Sequence, residues 1–241
     1  MVRLEGASGE RFEAWYAEPE VPLPQRRPGL VFLAETFNLN AWARGTVDAL
    51  ARLGYRVIAP DLHWRVEPGV HLPYGPAERV RAMELYHQLD DGLAFEDVQT
   101  CLDWLHAAPD ADRRSGVIGY CVGGRLALRL AAQPPEGLQL AIGYYCSDIG
   151  PYVGLGAALK VPGLFHFGAT DPAIPLEVVH ALAEAGHDDP RLAVHVYEGA
   201  GHGFCRAGQP QFHPGASALS QARTEAWLAE HLPFAETTPT P

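Results

Sequence analysis

The chain has only four cysteines in 241 residues, at positions 101, 121, 146 and 205. They are too few and too scattered for a disulfide framework, and no Cys-x-x-Cys pair suggests zinc. No apolar run approaches the length needed to span a bilayer. The opening residues, Met1 to Gly6, lack the apolar core of a secretion signal. Basic residues are scarce beside acidic ones, 18 against 29, and the formal net charge of -11 argues against nucleic-acid binding. Histidines are numerous, but none forms an HxH or HxxxH cluster with carboxylates at ligand spacing, so neither metal nor cofactor is expected. These absences leave a cytoplasmic globular protein, a monomer or small homo-oligomer, that acts on a small molecule. An anionic substrate stays compatible with the charge, because a local pair of arginines can dominate a pocket.

Strand-like and helix-like segments alternate along the whole chain. Residues 1–18 read as a β-hairpin turning at Gly6-Ala7-Ser8-Gly9, followed by a proline-rich connection over 18–28. Leu30 to Ala34 is wholly apolar, as in a parallel strand covered on both faces. The later expected strands are 55–61, 117–119, 140–145, 163–168 and 192–197. Helices are expected over 42–53, 76–88, 94–107, from about 123, over 176–185 and over 216–232. Residues 63–75, rich in Pro and Gly, read as a pocket wall or lid, and 236–241 as a frayed tail. No linker or internal repeat interrupts the pattern. It predicts one α/β domain with a mostly parallel central sheet and helices on both faces.

One stretch, Gly116 to Leu128, carries the clearest chemistry. Its pattern Gly119-x-Cys121-x-Gly123 is that of the nucleophile elbow of α/β hydrolases, with cysteine in the serine position. A nucleophile at the tip of a strand-to-helix turn crowds the residues two before and two after it, so glycine is needed at both. The competing reading is a structural cysteine beside a glycine-rich helix start.

Functional groups in such sheets gather past the carboxyl ends of the strands. Reading there gives Glu35, Cys121, Asp171 in Gly168-Ala-Thr-Asp-Pro172, and His202 in Gly199-Ala-Gly-His-Gly203. Nucleophile, acid, histidine is the order of the α/β hydrolases. The thiol needs a base, here His202, and the base needs a carboxylate to fix its tautomer, here Asp171. Backbone N–H groups of Val122 and Thr36 are placed to hold an oxyanion. Taken singly, Asp171 reads as a turn residue, and the other histidines, His63 and His166 among them, as core or solvated groups.

With these residues in hand, the sequence resembles the dienelactone hydrolases (carboxymethylenebutenolidases) over nearly its whole length. The motif Gly-Tyr-Cys-x-Gly-Gly around Cys121 is the most specific point of likeness. The resemblance implies that Glu35 is the family's extra glutamate, contacting the thiol and taking its proton once substrate binds. It also implies that Arg81 and Arg206 grip a substrate carboxylate. Leu85 and Gln88 stand where the family pattern has aromatics, with Tyr86 displaced by one, and Gly203 stands where serine is familiar. Tyr144 and Tyr145 are candidate aromatic walls or ordinary core residues. The expected reaction is opening of a carboxylate-bearing enol-lactone through a Cys-His-Asp triad. A general carboxylesterase or thioesterase, and a catalytically silent small-acid-binding protein, are the alternatives.

Overall fold

Seven consecutive buried residues, Arg27–Leu33 (β3), lie near the middle of an eight-stranded sheet. The computed structural model describes residues 1–6, 8–20, 26–109 and 111–235. The other strands are β1 (Val2–Glu5), β2 (Arg11–Ala17), β4 (Arg56–Pro60), β5 (Ala111–Tyr120), β6 (Leu138–Tyr144), β7 (Gly163–Gly168) and β8 (Leu192–Tyr197). Their order across the sheet is β1-β2-β4-β3-β5-β6-β7-β8. Only the β1–β2 and β2–β4 pairs are antiparallel; the five pairs from β4 to β8 run parallel. The parallel strands read as near-continuous apolar runs because helices cover both faces.

The helices are α1 (Ala41–Arg52), α2 (Pro76–Tyr86), α3 (Asp91–His106), α4 (Val122–Ala132), α5 (Leu176–Ala185) and α6 (Pro214–His231). Helices α1 and α6 border a common groove on one face. On that face the Tyr144 hydroxyl reaches Thr224 of α6 at 2.6 Å. Helices α3 and α4 pack against each other and against the central strands on the other face. One continuous core of buried side chains fills both layers. Among the described residues no helix is long and apolar enough to cross a membrane.

The expected alternation of strands and helices is present, and α5, β7 and β8 have the expected bounds. Three differences have physical causes. Strand β3 begins at Arg27, before the apolar run; Pro28 has no N–H to donate, and the pairing with β5 shifts register between Arg27 and Gly29. Strand β5 begins at Ala111 although Asp112-Arg113-Arg114 carries no strand pattern. Arg114 instead bridges Asp112 and the Pro233 carbonyl, both at 2.7 Å. A 3-10 segment, Gly150–Ala158, follows β6 where no element was expected. The expected hairpin turn includes Ala7, the proline-rich connection includes residues 21–25, and the tail is 236–241; those residues lie outside the described ones.

Candidate active site

Strand β5 delivers Cys121 into the turn that opens α4. Its backbone sits at φ 55 and ψ -114, a region that costs a non-glycine residue energy unless the surroundings enforce it. They do so by hydrogen bonds: Cys121 N–H donates to Tyr144 O at 2.9 Å, and Cys121 O accepts from Ser147 N–H and Arg125 N–H, each at 3.1 Å. Close approach makes the flanking glycines obligatory. A Cβ on Gly119 would lie 1.9 Å from Gly123 O, and one on Gly123 would lie 2.2 Å from Leu33 O. Val122 is the first residue of α4, so its N–H has no acceptor within the helix.

Two loops on the same edge of the sheet bring the other groups together. Thr170, past β7, donates through N–H and Oγ1 to Ala200 O, both at 2.9 Å, so the β7 and β8 loops are clasped. Asp171 then accepts twice: Ala173 N–H at 2.8 Å on Oδ1, and His202 Nδ1 at 2.8 Å on Oδ2. The turn role and the histidine-orienting role coexist in one carboxylate. The His202 imidazole also acts on the Cys121 thiol, and the Tyr145 and His202 rings pack edge to face with centroids 5.0 Å apart. Burial alone would raise the Cys121 thiol, yet the neighbouring imidazole, by charge and hydrogen bond, holds it below its ordinary value. Burial likewise opposes the imidazolium, but the Cys121 charge and the Asp171 hydrogen bond push His202 up to about 10. The two shifts together favour a thiolate–imidazolium pair.

Glu35 lies just past β3 and is buried, 2% exposed. Arg206 Nε donates to both its oxygens at 3.0 Å, and the Tyr74 hydroxyl donates at 2.7 Å. The terminal nitrogens of Arg206 have no hydrogen-bond partner among the described residues. The loop after Glu35 is braced from below. Asn38 donates to Asp61 Oδ1 at 2.5 Å and Val70 O at 2.8 Å, and buried His63 meets Thr36 O at 3.0 Å.

Above Cys121 opens a cavity of about 200 Å³. His202 and Cys121 lie on its wall with Thr36, Arg206, Tyr86 and Arg79. Helix α2 thus contributes Arg79, Met83 and Tyr86, spaced i, i+4, i+7 along one face.

Comparison with known proteins meets this geometry. A family model of the dienelactone hydrolase family matches residues 12–232. The chain belongs to the dienelactone hydrolase family. It is 32% identical over 229 residues to carboxymethylenebutenolidase 1 of Cupriavidus pinatubonensis, covering 95% of both chains. It is also 32% identical to the carboxymethylenebutenolidase of a Pseudomonas species (strain P51), covering 97% of this chain and 96% of the relative. Among solved structures, a Klebsiella pneumoniae protein assigned as a dienelactone hydrolase superposes with a TM-score of 0.83 at 25% identity, over 95% of this chain and 98% of that one.

Of the residues expected at the site, Arg81 lies elsewhere than anticipated, and Tyr144 and Tyr145 take the core role that was their alternative. Glu35 is hydrogen-bonded to Arg206 and Tyr74. Arg81 is off the cavity wall, paired with Glu67 and Glu84. At about 100° per residue it sits roughly 200° around α2 from Arg79, which is solvent-exposed and lines the cavity. Tyr144 points to α6, and Tyr145 lies fully buried behind His202, so neither lines the cavity. Of the departures from the family pattern, Leu85 is buried in the core and Gln88 is solvent-exposed. Arg79, Met83, Ser147 and Asp148 line the cavity without having been singled out. The i, i+4, i+7 spacing was the available signal for the first two.

Proposed function

We propose that this member of the dienelactone hydrolase family opens small enol-lactones that carry a carboxylate, through a cysteinyl acyl-enzyme. One observation carries the reading. The Cys121–His202–Asp171 chain opens into a cavity whose wall also holds Arg79, unpaired among the described residues, and the free terminal nitrogens of Arg206. Guanidinium forks suit carboxylates, and two of them would fix the ring carbonyl against the sulfur.

The thiolate of Cys121 attacks the lactone carbonyl, and the carbonyl π pair moves onto oxygen. Val122 N–H and Thr36 N–H stabilise that oxyanion. Collapse breaks the ring C–O bond; an enolate is a good leaving group and departs still tethered to the acyl chain. The leaving enolate takes the Nε2 proton of the His202 imidazolium; the neutral imidazole then takes a proton from water, and the resulting hydroxide attacks the thioester and expels the Cys121 thiolate, which restores the thiolate–imidazolium pair. Asp171 keeps Nδ1 of the imidazole protonated, so that Nε2 faces the sulfur and the water. Glu35 holds Arg206 in place through Nε, which leaves the other end of the guanidinium for the substrate.

The test compares turnover of matched lactones with and without a carboxylate, with mass spectrometry of the quenched enzyme. The reading expects an adduct on Cys121 and a clear preference for the carboxylate. Equal turnover of uncharged aryl esters, unaffected by Arg79→Ala, would make this a general esterase. Undiminished turnover in Cys121→Ala would remove the cysteine mechanism altogether.

A further inference from the structure

Two polar groups on the cavity wall are left idle by the mechanism above. Ser147 Oγ is buried beside the Tyr86 hydroxyl, yet makes no hydrogen bond of normal geometry. Its neighbour Asp148 uses only Oδ2, which accepts from the Tyr86 hydroxyl and lies 3.7 Å from Arg125 Nη1. Oδ1 of Asp148 has no partner among the described residues. Both residues line the cavity that contains Cys121.

Their placement is built rather than incidental. Asp148 holds a positive φ of 50, which aspartate tolerates better than most residues. Ser147 N–H is tied to Cys121 O at 3.1 Å, so the pair is anchored to the nucleophile's own backbone. Arg125, whose N–H also donates to Cys121 O, is held by Asp91 at 2.9 Å and donates to the Tyr86 hydroxyl. The Tyr86 hydroxyl in turn orients Asp148. The elbow and this wall are one connected piece.

We propose that Ser147 and Asp148 form a hydroxyl-reading subsite, so that the preferred lactone carries an alcohol in addition to its carboxylate. The inference rests on the lactone-hydrolase reading and narrows its substrate class. A carboxylate only accepts hydrogen bonds, whereas a serine hydroxyl can also donate. An alcohol offers one donor and two acceptor lone pairs and satisfies both groups at once. A second carboxylate on the substrate would meet the Asp148 charge and be disfavoured. An ammonium could donate to Asp148 and to Ser147 Oγ, but it would leave the Ser147 proton without an acceptor. The Asp148 side chain is 66% exposed, which keeps the discrimination moderate.

The experiment measures kcat/KM on three carboxylate-bearing enol-lactones that differ in one ring substituent: methyl, hydroxymethyl or aminomethyl. The wild type should favour hydroxymethyl over methyl by about tenfold, the scale of one charge-assisted hydrogen bond. Ser147→Ala and Asp148→Asn should each bring that ratio below about threefold; asparagine keeps the positive φ, so the backbone survives. A ratio near one in the wild type, a ratio that survives both substitutions, or a preference for aminomethyl would overturn the subsite while leaving the lactone reading standing. No turnover of any of the three would take down both.

Discussion

Arg206 grips both oxygens of the buried Glu35 carboxylate through a single nitrogen, Nε, at 3.0 Å each. The side chains are 6% and 2% exposed, so the pair lies nearly out of water. A salt bridge of that kind costs desolvation on both sides, and its removal from one side strands a charge.

Arg206→Met should therefore destabilise the fold by about 3–5 kcal/mol in urea denaturation, because Glu35 keeps only the Tyr74 hydroxyl. Adding Glu35→Gln to that variant should recover part of the loss, since the stranded charge is gone. Additive losses in the double variant would show that the two residues do not act as a pair.

The two arginines of α2 should separate cleanly. Arg79→Ala should raise KM for a carboxylate-bearing lactone about tenfold, the loss of one charge-assisted contact. Arg81→Ala should stay within about twofold, because Arg81 sits among Glu67 and Glu84 in exposed pairs of little energetic weight. The reverse outcome would restore Arg81 as the substrate-facing residue.

The sulfur should react as thiolate at unusually low pH. Its pKa is depressed, so the thiolate forms at lower pH, and iodoacetamide labelling of Cys121 should reach half-maximum below about 8.5. His202 keeps its proton up to about 10, so the imidazolium that holds the thiol down persists across the neutral range. His202→Asn leaves burial and the Glu35 charge, both of which raise the thiol, and the midpoint should move above that of an ordinary cysteine.

The elbow glycines should tolerate no side chain. Gly119→Ala and Gly123→Ala each drive a methyl into backbone, at 1.9 Å and 2.2 Å, where nothing can rotate aside. Each should cost about 3 kcal/mol or more, read as a lost or strongly lowered thermal transition. Gly45→Ala, on open helix surface, serves as the comparison and should be neutral or slightly stabilising.

Most of the fold was legible because its signals are local. The apolar run at 30–34 announced a buried parallel strand, and Gly119 and Gly123 announced the turn from β5 into α4. Strand ends where helix or loop follows named Asp171 and His202, which the sheet then brings within 2.8 Å of each other. What was not legible depends on rotation and tertiary partners. Arg79 and Arg81 differ by two positions, and only the seating of α2 decides which one faces the cavity. The Glu35–Arg206 pairing spans 171 positions, and no local pattern records it. Ser147 and Asp148 follow a strand end but belong to residue types common in any turn, so they stayed unremarked until the cavity was seen.

Gly203 has φ 76, and a methyl there would lie 2.7 Å from Arg206 Cζ. His202 and Arg206 are therefore carried on one tight bend, closed by Arg206 N–H to Gly203 O at 2.9 Å. A guest acid that pulled the guanidinium off centre would strain the same bend that carries the imidazole. Such a guest would still be held, but its acyl transfer would stall. Selectivity in this protein would then be written in rates more than in occupancy, and a tight-binding misfit would act as an inhibitor rather than a slow substrate.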